Sequence, residues 1–304
     1  MSDPPPIFDR ALHRHRLQRS AKLAEPADFL MTRAAEDAVE RLSTILRDFP
    51  LAVDLNAQAS AFARALAADP IASDKVGLLI EAAPCETGQT SAAAAPMLIA
   101  DDERLPFRPE SLNLIVSLLS LHWTNDLVGA LIQIRRALKP DGLFLGAFLG
   151  GATLNELRQS LLAAEVEVAG GAGPRVSPFA DGLDAAGLLQ RAGFALPVAD
   201  VDRVTVLYVH PLKLMADLRA MGETNVLTDR PRRPLSRAVL ARMCDIYVER
   251  FGRPDGRIPA TFEIVSLTGW APHESQPLPL KPGSAKMRLA DALGVTEHRL
   301  PGRR

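Results

Sequence analysis

Cysteine is scarce in this chain. Cys85 and Cys244 are the only two among 304 residues, they lie far apart, and neither has a metal-binding spacing. A disulfide framework is not expected, and a reducing compartment fits. An excess of one charge is also lacking: 35 Lys and Arg face 36 Asp and Glu, a formal net charge of −1. A general nucleic-acid binder is usually clearly basic, so no nucleic-acid partner is expected. Runs of roughly 18 uncharged apolar residues are missing, and with them any expected transmembrane helix. Peripheral association with a membrane complex stays open. The opening MSDPPPIFDR has no apolar segment of the signal-peptide type, so the cytoplasm is the expected location. Aromatics make up only 5 % of the chain, but hydrophobic residues reach 47 %. That supports a substantial core in one large domain or a domain with an appendage.

What is present is a succession of short apolar runs separated by helical patterns. Leu51–Leu55, Val76–Ile80, Met97–Ala100, Leu112–Leu119 and Leu143–Phe148 read as strands. Residues 28–47, 57–68 and 127–138 have helical spacing, and Lys139-Pro140-Asp141-Gly142 is a turn signal. Strands apolar on both faces that alternate with helices predict a parallel sheet covered on both sides, the doubly wound α/β class. Beyond Gly151, helices are predicted over 153–168, 184–192, 211–221 and 235–250, with strands at Val204–Val209 and Thr261–Thr268. Residues 9–22 form a basic helix, read as a solvated face or as a partner-binding arm.

Asp54, Glu81 and Asp101 each stand at or near the carboxyl end of a predicted strand, where this class binds ligands. Singly, each reads plainly as a solvated strand end or a turn acid; on successive strands they form a constellation. The stretch 98-LIADDERLPFRPESLNLIVSLLSLHWTNDLVGALIQIRRALKPDGLFLGAF-148 resembles class I S-adenosylmethionine-dependent methyltransferases. That resemblance implies a Rossmann-like class I methyltransferase fold with N-terminal helices and a C-terminal α+β elaboration. It also implies that Glu81 accepts from the ribose hydroxyls and Asp101 from the adenine amino group. Asp54, Asn56 and Asp102 join them as cofactor-binding candidates.

Three further segments carry a closer resemblance: 7-IFDRAL-12, 117-SLLSLHWTND-126, and the pair 215-MADLRAMGETN-225 and 259-PATFEIVSLTGWAPHESQP-277. Together they are similar to the family of the mitochondrial complex I assembly factor 5. The S-L-x-L-H-W element is also similar to that of the malonyl-carrier-protein O-methyltransferases of biotin synthesis. The resemblance implies a complex I subunit as partner and, for the assembly-factor family, arginine hydroxylation. The expected organisation is an N-terminal helical segment over 1–48, a methyltransferase-like domain over 49–200, a C-terminal elaboration over 201–285 and a flexible tail over 286–304.

One departure matters. The family's D-L-G-C-G-x-G turn is here Asp54, Leu55, Asn56, Ala57, Gln58, Ala59, Ser60, without a glycine. Glycine serves there to adopt positive φ and to let the backbone approach the cofactor. Asparagine tolerates positive φ, but a long Gln58 side chain would take up cofactor space. A methyltransferase therefore stands against a non-catalytic scaffold that binds an assembling subunit. A carrier-protein methyl-ester methyltransferase is a further alternative. His122 is the candidate for substrate-side chemistry, set evenly against a packed His–Trp pair, and His273-Glu274 is a second polar cluster. No two-histidine-one-carboxylate pattern is visible, so no metal site is expected.

Overall fold

The computed structural model describes residues 5–23, 27–57, 60–86, 95–180 and 182–277, with Met287, Asp291 and Gly294. Among these, the strands are β1 (Phe49–Leu55), β2 (Val76–Ala83), β3 (Met97–Ile99), β4 (Leu112–Leu118), β5 (Leu138–Leu149), β6 (Ala195–Tyr208) and β7 (Ile258–Trp270). They lie in one sheet in the order β3-β2-β1-β4-β5-β7-β6. Strands β1 to β5 pair in parallel, and β7 inserts antiparallel between β5 and β6. The helices are α1 (Arg10–Ser20), α2 (Phe29–Thr44), α3 (Ala61–Ala68), α4 (Pro70–Lys75), α5 (Leu127–Ala137), α6 (Asn155–Ala169), α7 (Ala185–Ala192), α8 (Pro211–Ala220) and α9 (Arg237–Phe251).

Alternate strand residues serve two cores. Ala52, Leu114, Val116, Leu143 and Leu145 pack with α2, α3, α6, α8 and α9. Val53, Leu55, Ile115, Phe144 and Phe148 pack with α5 and α7. An apolar residue on each side of a period of two is what a doubly covered parallel sheet needs. A third, small cluster of Phe8, Trp123, Val226 and Leu227 ties the N-terminal segment to the sheet's carboxyl end.

Three local expectations change. The helix expected over 57–68 starts at Ala61, and a separate α4 follows, with Pro70 in its first turn and Asp69 capping Ala72 N–H. The Lys139–Gly142 turn lies inside β5 as a bulge: pairing jumps from Leu112↔Leu138 to Leu114↔Leu143. The strand expected at Val204–Val209 is the 14-residue β6. Met1–Pro272 forms one compact unit and His273–Arg304 a second. The expected flexible tail falls almost wholly outside the described residues. Among those, no helix is long and apolar enough to cross a membrane.

Candidate functional site

Register places the acids. Asp54 and Glu81 are paired neighbours on β1 and β2, at the carboxyl ends of both strands. Glu81 is completely buried, and neither carboxylate oxygen finds a hydrogen-bond partner among the described residues. Leaving such a group unpaired costs about 1–3 kcal/mol, more when it is charged. Two adjacent empty acceptors at this point suit a pair of vicinal hydroxyls. Asp54 is also buried, and burial, together with the Glu81 charge, pushes its carboxyl well above the usual range.

The turn after β1 keeps a glycine-type backbone without glycine. Asn56 has φ 63° and Ser60 has φ 51°, both left-handed. The amide of the buried Asn56 has neither its nitrogen nor its oxygen bonded among the described residues. Gln58 and Ala59 lie outside those residues. The residues that are described fit the nucleoside end of S-adenosylmethionine, with unpaired polar groups where the ribose would sit.

Asp101 is placed differently from a free adenine acceptor. Arg10 Nη2 donates to its Oδ1 at 2.7 Å and Arg14 Nη1 to its Oδ2 at 2.9 Å. Glu103 N–H also donates to Oδ1, at 3.0 Å. Burial alone would raise its pKa, but the Glu103 N–H and the Arg10 and Arg14 guanidiniums outweigh burial and lower it. Asp102 is buried beneath it, and burial pushes its carboxyl up to about 6 despite the Arg10 charge.

His122 and Trp123 sit in a short 3₁₀ turn, Leu121–Trp123, beyond β4. Glu223 reaches both: His122 Nε2 lies 3.1 Å from Oε2, and Trp123 Nε1 donates to Oε1 at 3.2 Å. His122 Nδ1 faces Leu149 N–H at 3.5 Å, the arrangement of a ring protonated on Nε2. Around Trp123, Phe8 packs edge-on at 5.4 Å and His13 at 5.2 Å. Burial, then the charges of Arg10 and His122, force the His13 pKa down to about 3. The basic N-terminal helix is thus half embedded: Arg10 also donates to the Trp123 carbonyl, and Arg16 to that of Asn225.

Sequence reasoning singled out 215-MADLRAMGETN-225 for its resemblance but assigned none of its residues to the site. The structure gives three of them a task. Gly222 has φ +81°, and a Cβ there would come within 2.8 Å of Leu17 Cδ2, so glycine lets α1 approach. Glu223 grips His122 and Trp123. Asn225 Oδ1 accepts from Leu227 N–H, and its Nδ2 donates to the Pro174 carbonyl. The signal was its specificity outside the generic fold. In the second unit, His273 Nδ1 and Ser275 Oγ share a 2.7 Å hydrogen bond. Among the described residues no group of three or more His, Cys, Asp or Glu is placed to hold a metal ion.

Comparisons with known proteins bear on the family and the fold. A model of the methyltransferase domain matches residues 51–146. "Arginine-hydroxylase NDUFAF5, mitochondrial" of Danio rerio is 39 % identical over 288 residues, covering 94 % of this chain and 89 % of that protein. Its Homo sapiens counterpart is 39 % identical over 98 % of this chain and 86 % of its own length. A malonyl-[acyl-carrier protein] O-methyltransferase of Halorhodospira halophila is 40 % identical over 56 % of each chain. Among solved structures, a Bacillus halodurans protein superposes with TM-score 0.52 at 13 % identity, over 78 % of this chain and 99 % of that one. The YcgJ protein of Bacillus subtilis gives 0.51 at 14 %, with the same coverage; both show the fold alone. The expectation of a cytoplasmic protein is corrected, because the relatives matched along nearly their whole length carry mitochondrial names. Two free cysteines do not discriminate between those compartments. With such identity along nearly the full length of both chains, the protein belongs to the NDUFAF5 family, built on the class I methyltransferase fold.

Proposed function

We propose that this protein binds S-adenosylmethionine at the β1–β2 end of the sheet and acts on a protein partner, a subunit of respiratory complex I. The observation that carries the reading is the buried, unpartnered Glu81 carboxylate beside Asp54. Glu81 accepts both ribose hydroxyls, Asn56 offers its amide, and Asp54, its carboxyl pushed well above the usual range by burial and the Glu81 charge, steadies the turn. The cofactor supplies an electrophilic methyl carbon; the protein's share of the work is positioning. Adenine meets Asp101 in company with Arg10 and Arg14, so α1 forms one wall of the site. On the substrate side, His122 and Trp123 hold Glu223 at the edge of an apolar cavity lined also by Leu157, Phe179 and Leu218.

A second reading, arginine hydroxylation, is favoured by the names of the full-length relatives. A scaffold without catalysis is the third. Incubating the protein in air with S-adenosylmethionine, a two-electron reductant and complex I subunits, then weighing the subunits by mass spectrometry, separates them. A gain of a methyl group supports methyl transfer, a gain of one oxygen supports hydroxylation, and stable capture with unchanged mass supports the scaffold.

A further inference from the structure

We infer that Glu223 is the specificity-determining acid of a slot for a guanidinium side chain; this rests on the reading of a protein substrate at this site, with arginine as the side chain presented, as in the second reading above. The Glu223 side chain is only 11 % exposed. Its two hydrogen-bond donors are a ring N–H of His122 and the indole N–H of Trp123. Among the described residues no lysine or arginine pairs with it. A carboxylate offers about four lone-pair sites; two are taken here, one on each oxygen. The free pair presents the fork that a guanidinium fills with two parallel hydrogen bonds.

The walls match the rest of such a side chain. The cavity holds about 220 Å³ and is lined by Trp123, Leu157, Phe179, Met215 and Leu218. That is below the span of roughly 300–1,000 Å³ typical of sites for whole small molecules, and it suits one long side chain. Apolar walls take the methylene stem, and Trp123 and Phe179 add aromatic surface to the lining. Arg175 lines the same cavity, but its charge is answered by Glu165 at 2.7 Å; Arg219 stands exposed at the rim. A larger cleft of about 860 Å³ shares Leu161, Arg175, Val176 and Phe179 with the slot, and has room for the peptide on either side.

The test titrates the full chain with N-acetyl-arginine amide, N-acetyl-lysine amide and N-acetyl-citrulline amide, the last a neutral counterpart of arginine. Arginine should bind roughly ten- to hundredfold more tightly than citrulline, the worth of a charge-assisted hydrogen bond, and more tightly than lysine. Glu223→Gln should erase the arginine preference, and Glu223→Asp should restore part of it. Equal binding of arginine and citrulline by the wild-type chain, no binding of either, or a preference that survives in a folded Glu223→Gln variant overturns the inference. The wild-type comparison stands even if a variant fails to fold. Titrating S-adenosylmethionine in parallel separates the two claims: arginine preference without cofactor binding leaves the slot standing and removes the cofactor reading.

Discussion

Single residues in this site depart from what their surroundings would ordinarily allow, and each departure can be measured. Ser60 holds φ 51°, a left-handed conformation that favours glycine; a left-handed residue with a Cβ costs about 1–2 kcal/mol. Ser60→Gly should therefore stabilise the fold by about 1 kcal/mol in denaturant unfolding. His13 is a buried neutral histidine, its pKa forced down from 6.5 to about 3 chiefly by burial. A depressed histidine contributes stability above its unfolded pKa and loses it as pH falls towards the folded value. At pH 5 the loss is about 2 kcal/mol, from 1.36 kcal/mol per unit. His13→Phe keeps the packing on Trp123 and escapes that loss, so thermal unfolding should show its advantage over wild type growing from pH 7 to pH 5. At this scale the sequence was partly legible. Asp54, Glu81 and Asp101 stood out because strand ends are readable, and the structure lines them along one edge. That Asp101 is held by Arg10 and Arg14 was not readable, because partners some 90 positions away are brought together only by the fold.

At the scale of elements, α1 does more than a solvated basic helix would. Arg10 is 11 % exposed and bridges Asp101 and the Trp123 carbonyl, whereas Arg14 is 39 % exposed. Truncating a buried, hydrogen-bonded charge costs more than truncating a screened one. Arg10→Ala should cost about 2 kcal/mol in unfolding experiments and Arg14→Ala less than about 1 kcal/mol; equal losses would mean that α1 is not docked through Arg10. The strands of the parallel half were legible from doubly apolar runs. β6 was legible only in part: a strand was expected at Val204–Val209, and the residues before it include Pro197 and the polar Asp200, Asp202 and Arg203. Only an edge strand tolerates them. A bulge between Ala195 and Val198 accommodates the proline, and the polar groups form ion pairs, Arg41 with Asp200 and Arg33 with Asp202.

The whole molecule combines a widely shared sheet with the segments that carry the closer family resemblance. The 7-IFDRAL-12 segment runs antiparallel to Leu227 through Phe8, and Asn125 bonds both the N–H and the carbonyl of Phe8. The N-terminus, the SLHW turn and the MGETN loop thus meet at Trp123, so three of the four segments that carried the resemblance come together there. The proposed cofactor position is the β1–β2 end of the same sheet. Calorimetric titration of the purified chain with S-adenosylmethionine, wild type beside Glu81→Ala, tests that placement most directly. The account predicts saturable binding to the wild type, weakened roughly ten- to hundredfold or more when the charge-assisted bonds to the ribose are removed. No binding by the folded wild-type protein, or binding indifferent to Glu81→Ala, would contradict it.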